Sequence, residues 1–222
     1  CEKGGQWEHG LALLIEMRAR NLAPDVVSYS GAVSACDRCF QWQRAICLLA
    51  DMQQEGSEPN VITYNAAISA CAKSQAWQQA VSLFAWLQRS KLNPDAISYN
   101  AAISACEKGE QWQPALFLLA QMLEDGLQTD IITYNGAISA CEKSEEWRHA
   151  LGLMAELQCQ SLDPDVITYS AAISACGTCQ QWECCINLLH EMKTRRTEVD
   201  VVAHAAVISA LSHGHQWELV SS

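Results

Sequence analysis

A tryptophan recurs every 35 residues along this chain: Trp7, Trp42, Trp77, Trp112, Trp147, Trp182 and Trp217 keep that step without one insertion. Tyrosines follow the same step at Tyr29, Tyr64, Tyr99, Tyr134 and Tyr169, with His204 in the sixth place. So do cysteines at Cys1, Cys36, Cys71, Cys106, Cys141 and Cys176. The run Tyr64–Cys71 returns letter for letter as Tyr99–Cys106. A fixed period of this size marks a repeat array, in which each unit buries its apolar face only against its neighbours.

Each unit reads as two helices. In the unit 61–95, Tyr64, Ala67, Ile68 and Cys71 fall on one helical face, and Trp77, Ala80, Val81, Phe84 and Leu87 fall on another. The first helix is expected over about Thr63–Lys73, capped by its Thr or Ser, and the second from near Gln75 to Arg89. Ser74, Gly109 and Ser144 stand where the second helix needs a cap, and Pro24, Pro59, Pro94 and Pro164 where it should stop. Pro114 is compatible with a helix because it falls in the first turn. The expected fold is an all-α solenoid of stacked helix-turn-helix repeats. Its full units are 26–60, 61–95, 96–130, 131–165 and 166–200, with partial units at 1–25 (a second helix) and 201–222 (a first helix). With a partial unit at each end, no polar capping helix and no basic-apolar leader after Cys1, the sequence reads as a piece of a longer array.

Twelve cysteines would suggest a disulfide framework in a small secreted protein. Here most occupy one helical place per repeat, and equivalent places in stacked helices lie about 9–10 Å apart, beyond the roughly 7 Å a disulfide spans. They are expected to be small core residues. The pairs Cys36–Cys39 and Cys176–Cys179 have metal-ligand spacing but lie four repeats apart, so they cannot share an ion. His213 and His215 have no partner pattern, and no phosphate-binding glycine loop or nucleophile elbow is present. No catalytic site, metal, cofactor or small-molecule substrate is expected. No apolar run approaches the ~18 residues that would cross a membrane.

The unit Val61-Ile-Thr-Tyr-Asn-Ala-Ala-Ile-Ser-Ala-Cys-Ala-Lys73, followed by Ala80, Leu83-Phe84, Leu87 and Asn93-Pro94-Asp95, closely resembles the pentatricopeptide repeat. The resemblance runs through nearly the whole chain; the repeated Trp and the Ala-Ala-Ile-Ser-Ala-Cys core depart from the usual consensus at packing positions. It implies a right-handed superhelix whose first helices line a groove for single-stranded RNA, at one base per repeat. Three positions then carry recognition. The fifth residue of each unit reads the base: Ser30, Asn65, Asn100, Asn135 and Ser170. The last residue completes or orients that contact: Asn60, Asp95, Asp130, Asp165 and Asp200. The second residue sandwiches bases: Val27, Ile62, Ile97, Ile132 and Ile167. Under the family's pairing rule, Ser-Asn favours A, Asn-Asp favours U and Ser-Asp favours G, so the implied footprint is 5′-AUUUG-3′. Ala205 holds the reading place of the next unit and offers no hydrogen bond. The resemblance also implies a mitochondrial or plastid role in RNA processing, stability or translation. Other proteins, or a domain C-terminal to this chain, are possible further partners.

The net charge of −11 opposes nucleic-acid binding by bulk electrostatics. Arg38, Lys73, Lys108 and Lys143 nevertheless recur at one place near the end of the first helix, which in the family faces the phosphates; Thr178 breaks the series. Asp37, Glu107 and Glu142 adjoin this stripe and should weaken it. The alternative reading is a protein-binding scaffold that holds a peptide in the groove, with the repeated Asn and Asp serving only as turn and cap residues. The Trp series is expected to pack repeats together rather than to stack on RNA.

Overall fold

A computed structural model of the chain describes residues 5–195, 197 and 201–213, and no strand occurs among them. The described residues form twelve α-helices in two alternating series. The first helices of the repeats are α2 (Val26–Arg38), α4 (Val61–Lys73), α6 (Ala96–Lys108), α8 (Ile131–Lys143), α10 (Val166–Thr178) and α12 (Val201–His213). The second helices are α1 (Gly5–Ala19), α3 (Trp42–Gln54), α5 (Trp77–Arg89), α7 (Trp112–Glu124), α9 (Trp147–Cys159) and α11 (Trp182–Thr194). The chain divides into two compact units, Cys1–Gly109 and Glu110–Ser222. In the first unit α4 packs between α2 and α6, with α3 and α5 seated on that row. In the second unit α10 packs between α8 and α12, and α9 and α11 take the corresponding places. The all-α repeat that the period demands is the fold observed.

The helix ends differ from the expected ones. The first helices start two residues earlier than the Thr or Ser, at Val61 in the second repeat, because the last residue of the preceding unit is the cap. Asn60 accepts the Thr63 N–H at 2.9 Å, and Asp95 and Asp130 accept the N–H of Ser98 and Thr133 at 2.8 and 2.9 Å. Asp and Asn rank at least as high as Ser and Thr at this position, and three residues is the reach their side chains need. Ser74, Gly109 and Ser144 close the first helix rather than open the second. Each is followed by a residue in the left-handed region: Gln75, Glu110 and Glu145 have φ of 59°, 56° and 60°. The paired bonds Gln75 N–H to Ala72 and Ala76 N–H to Cys71 make this a Schellman ending. The second helix then begins at the repeated Trp, without a side-chain cap.

Nor do the prolines stop the second helices. Those helices end five residues before Pro24, Pro59, Pro94 and Pro164, again at left-handed residues: Asn21, Gly56, Lys91 and Ser161. Each proline stands one place ahead of an Asp or Asn cap, where its fixed φ sets the entry of the next helix. Pro114 sits in the first turn of α7, as expected.

The core is the repeat itself, stacked. Tyr29, Tyr64, Tyr99, Tyr134 and Tyr169 are fully buried, and so are Cys36, Cys71, Cys106, Cys141 and Cys176. Burial pushes the Cys71, Cys106 and Cys141 thiols up to about 12, which keeps them protonated and unreactive. Three of the repeated tryptophans are seen to bridge successive repeats. The Trp7 ring lies under the Arg44 guanidinium at 5.9 Å, and Trp112 packs against His149 with ring centroids 4.5 Å apart. A side chain at Gly109 would run into the Trp77 indole. The packing role expected of the Trp series is therefore seen at Trp7, Trp77 and Trp112 on the second helices, and Trp217 lies outside the described residues.

Candidate nucleic-acid interface

The fifth and last residues of a unit are 30 positions apart in sequence. They meet because the last residue caps the next first helix, alongside the helix that carries the fifth. In the second repeat the Asn65 amide donates to Asp95 Oδ1 at 3.0 Å. In the fourth, Asn135 donates to Asp165 Oδ1 at 3.1 Å and Oδ2 at 3.3 Å. An ionised carboxylate only accepts, so each amide must turn its NH2 toward it. Partial burial alone would raise the Asp95 carboxyl. The hydrogen bonds from Ser98 and from Asn65 outweigh that effect and hold it below the ordinary carboxylate range.

A third group completes these clusters, the Ser or Thr whose place in the sequence suggested a helix opener. Ser98 Oγ lies 2.6 Å from Asn65 Oδ1 and 2.8 Å from Asp95 Oδ1. Thr168 Oγ1 lies 2.6 Å from Asn135 Oδ1 and 2.9 Å from Asp165 Oδ1. In the first repeat Ser30 and Asn60 are joined through Thr63: the Thr63 hydroxyl donates to Asn60 Oδ1 at 2.8 Å and lies 2.6 Å from Ser30 Oγ. These hydroxyl residues are buried, with Thr63, Ser98 and Thr168 at 0% exposure. The recurrence of Ser or Thr at the third place was the available signal; its contact with the preceding repeat was not legible.

Asn100 is half-buried on α6 in the first compact unit, while Asp130 caps α8 in the second. Ser170 is 8% exposed on α10, and Asp200 lies outside the described residues. The second-place aliphatics are all turned outward: Val27, Ile62, Ile97, Ile132 and Ile167 are 75, 67, 66, 66 and 62% exposed. Three of these lie in the first unit and two in the second, and within each unit large apolar side chains in solvent at one repeated place are more than packing alone requires.

Arg38, Lys73, Lys108 and Lys143 are exposed at the ends of their helices. Lys73 is engaged: its Nζ sits 2.7 Å from Asp37 Oδ2 of the preceding repeat. Asp37 is one of the three acidic side chains that adjoin these cations in sequence. Among the described residues no group of three or more His, Cys, Asp and Glu side chains is gathered as a metal site. Cys39 and Cys179, the second members of the two CxxC pairs, close α2 and α10. On the second-helix side of the first unit, an apolar cleft of about 290 Å³ opens between α3 and α5, lined by Leu49, Leu83 and Trp86 among others.

Profiles of the PPR repeat family match residues 59–108, 94–143 and 129–178. The pentatricopeptide repeat domain profile matches 12–74, and a further PPR repeat matches 167–196. No curated protein sequence matches the chain. Among solved structures, the maize pentatricopeptide repeat protein PPR10 is 25% identical with a TM-score of 0.71, over 98% of this chain and 32% of that one. The chain thus spans about a third of that relative's length. The same protein in complex with an 18-nucleotide psaJ RNA element is 24% identical with a TM-score of 0.54, over 92% of this chain and 34% of that one. The PPR domain of Arabidopsis thaliana protein-only RNase P 1, in complex with tRNA, shares the fold at 12% identity and a TM-score of 0.70, covering 81% of this chain and 95% of that domain. With a 35-residue period, paired helices throughout and profile matches running from residue 12 to residue 196, the chain belongs to the pentatricopeptide repeat family.

Proposed function

We propose that this chain binds single-stranded RNA at one base per repeat, N to C along 5′ to 3′, with the footprint 5′-AUUUG-3′. The observation that carries this reading is the repeated cluster itself: an Asn amide tied to a carboxylate, beneath an exposed aliphatic, in the second and fourth repeats. Splayed bases need a hydrogen-bonding group on their edge and an apolar surface on their face; a peptide groove would place apolar or aromatic pockets where these amides stand. Three of the matched structures hold RNA, which supports the same reading. A mitochondrial or plastid setting, and a role in RNA processing, stability or translation, belong to the proposal through the family resemblance. The matched residues are repeats throughout, so any chemistry on the bound RNA falls to other domains or partners.

The test is a fluorescence-anisotropy titration at low salt with an RNA containing AUUUG, the same RNA as ACCCG, and the DNA version. Tighter binding to the uridine RNA supports base reading; equal binding to all three, or to none at tens of micromolar, overturns it in favour of the scaffold. With all four cations of the stripe on phosphates, log K would fall against log salt with a slope near −3, at roughly −0.7 per contact on a single strand; with Lys73 held by Asp37, the slope of the unsubstituted chain should be nearer −2.

Asp37→Asn should tighten binding. The substitution removes the carboxylate held 2.7 Å from Lys73 and leaves that ammonium to a phosphate. The expected gain is about threefold at low salt, with a slope steeper by about 0.7. The same titration repeated from 20 to 200 mM salt (about the range in which such slopes are read) checks it. An unchanged slope would mean that Lys73 is not on the RNA path.

A further inference from the structure

We propose that the third-residue hydroxyls of Thr63, Ser98 and Thr168 are positioning groups for the repeat before each, so that the base such a unit selects depends on its C-terminal neighbour. The proposal rests on the base-reading above and deepens it.

An Asn amide can present either a donor or an acceptor to a base, depending on which way it is turned. In the second and fourth repeats two fixed groups decide. The carboxylate of Asp95 or Asp165 takes one N–H, and the hydroxyl of Ser98 or Thr168 lies 2.6 Å from the carbonyl oxygen. A hydroxyl carries one proton, and here it faces two oxygens, one on the amide and one on the carboxylate. With the hydroxyl donating to the amide oxygen, that oxygen is held on the hydroxyl and the amide cannot turn over, so the group it offers a base is the second N–H, a donor. Uracil O4 accepts such a donor, whereas cytosine offers its own N4–H2 donor at the same place and is refused. The U preference of these units then follows from the cluster's proton arrangement.

The first repeat shows the same device with the opposite outcome. With the Thr63 proton given to Asn60 Oδ1, 2.8 Å away, the 2.6 Å contact between the two hydroxyls is left to the Ser30 proton. Ser30 is left with lone pairs only. An acceptor suits the N6–H2 of adenine and not the O6 of guanine. In both cases the polarity of the reading atom is set by a buried side chain that touches no base. In the unit that opens at Val201 the third residue is Ala203, which has no hydroxyl to offer Ser170.

The test uses the full chain with Thr168→Val, which keeps the side chain's shape and removes the hydroxyl, and Thr168→Ser, which restores it. Binding is measured to AUUUG, to AUUCG, altered opposite the fourth repeat, and to ACUUG, altered opposite the second. The expected result is a fivefold or so fall in the U-over-C ratio at the fourth base, the scale of one hydrogen bond. The ratio at the second base should hold, and Thr168→Ser should recover the loss. Thr168 is also part of the cap of α10, so a purely structural role would weaken all three RNAs alike and leave both ratios unchanged; that outcome overturns the proposal. A readout without RNA separates this failure from failure of the base-reading. The two side-chain NH2 proton signals of Asn135 should stay well dispersed in the wild type and draw together in Thr168→Val. Dispersed signals in the variant overturn positioning even if RNA is bound. Signals that draw together in a protein without any U-over-C preference overturn base-reading and leave the hydroxyl as an orienter of the amide alone.

Discussion

Changing Asn65 and Asn135 together to Ala is expected to weaken binding of AUUUG RNA about 100-fold, and each single change about tenfold. A base hydrogen bond from a partly buried amide is worth on the order of 1.4 kcal/mol once its partners would otherwise go unpaired, which is a factor of ten. The two side chains have separate partners, Asp95 and Ser98 for one, Asp165 and Thr168 for the other, so the losses should add. Neither residue is a cap, and the Asp and Ser or Thr that remain still close their capping boxes. Thermal stability should therefore move little, and a fall in affinity cannot be put down to unfolding. Anisotropy at low salt, with circular-dichroism melts of the same samples, reads both quantities. Double-variant affinity equal to that of the wild type would remove the amides from the interface and favour the scaffold reading.

The architecture was legible because it is written in a period. Trp, Tyr and Cys at a 35-residue step leave stacked helix pairs as the arrangement that buries all three series. Boundaries were less so. Thr63 and Ser98 looked like caps and are the third residues of their helices, because a better cap, Asn60 or Asp95, precedes each. The turn between paired helices was hidden for another reason. Its left-handed residues are Phe40, Gln75, Glu110, Glu145 and Gln180, not glycines. Such a conformation costs on the order of 1 kcal/mol at a non-glycine residue, and only the surrounding packing imposes it. The residues of the candidate site were visible through the family pattern, and their outward aliphatics and paired amides suit that pattern. The hydroxyl that orients each amide sits 33 positions away, a distance no local rule connects.

Tyr169→Ala is expected to cost roughly 3–5 kcal/mol, the range for truncating a large buried aromatic. For a chain of this length that lowers the melting temperature by about 10 °C. Tyr169 has 0% exposure in the middle of the second compact unit, where α10 meets α8, α9, α11 and α12. Its hydroxyl donates to Glu191 Oε1 at 3.1 Å. Burial, and then the Glu191 charge, push the phenol up to about 12, so it stays neutral and keeps donating throughout the physiological range. Tyr169→Phe removes only that bond. Glu191 retains Arg195 at 3.1 Å and Gln158 at 2.8 Å, so the loss should be about 1 kcal/mol. The ratio between the two variants separates ring packing from the polar contact in chemical denaturation. In a repeat array each unit holds only its neighbours, so a cavity at one tyrosine should loosen the second compact unit before the first. Amide exchange resolved by residue reads this directly: protection should fall along α8 to α12 while α2 to α6 keep theirs. A uniform loss across both units would mean that the chain unfolds as one cooperative body, and the nearest-neighbour account of its stability would be wrong.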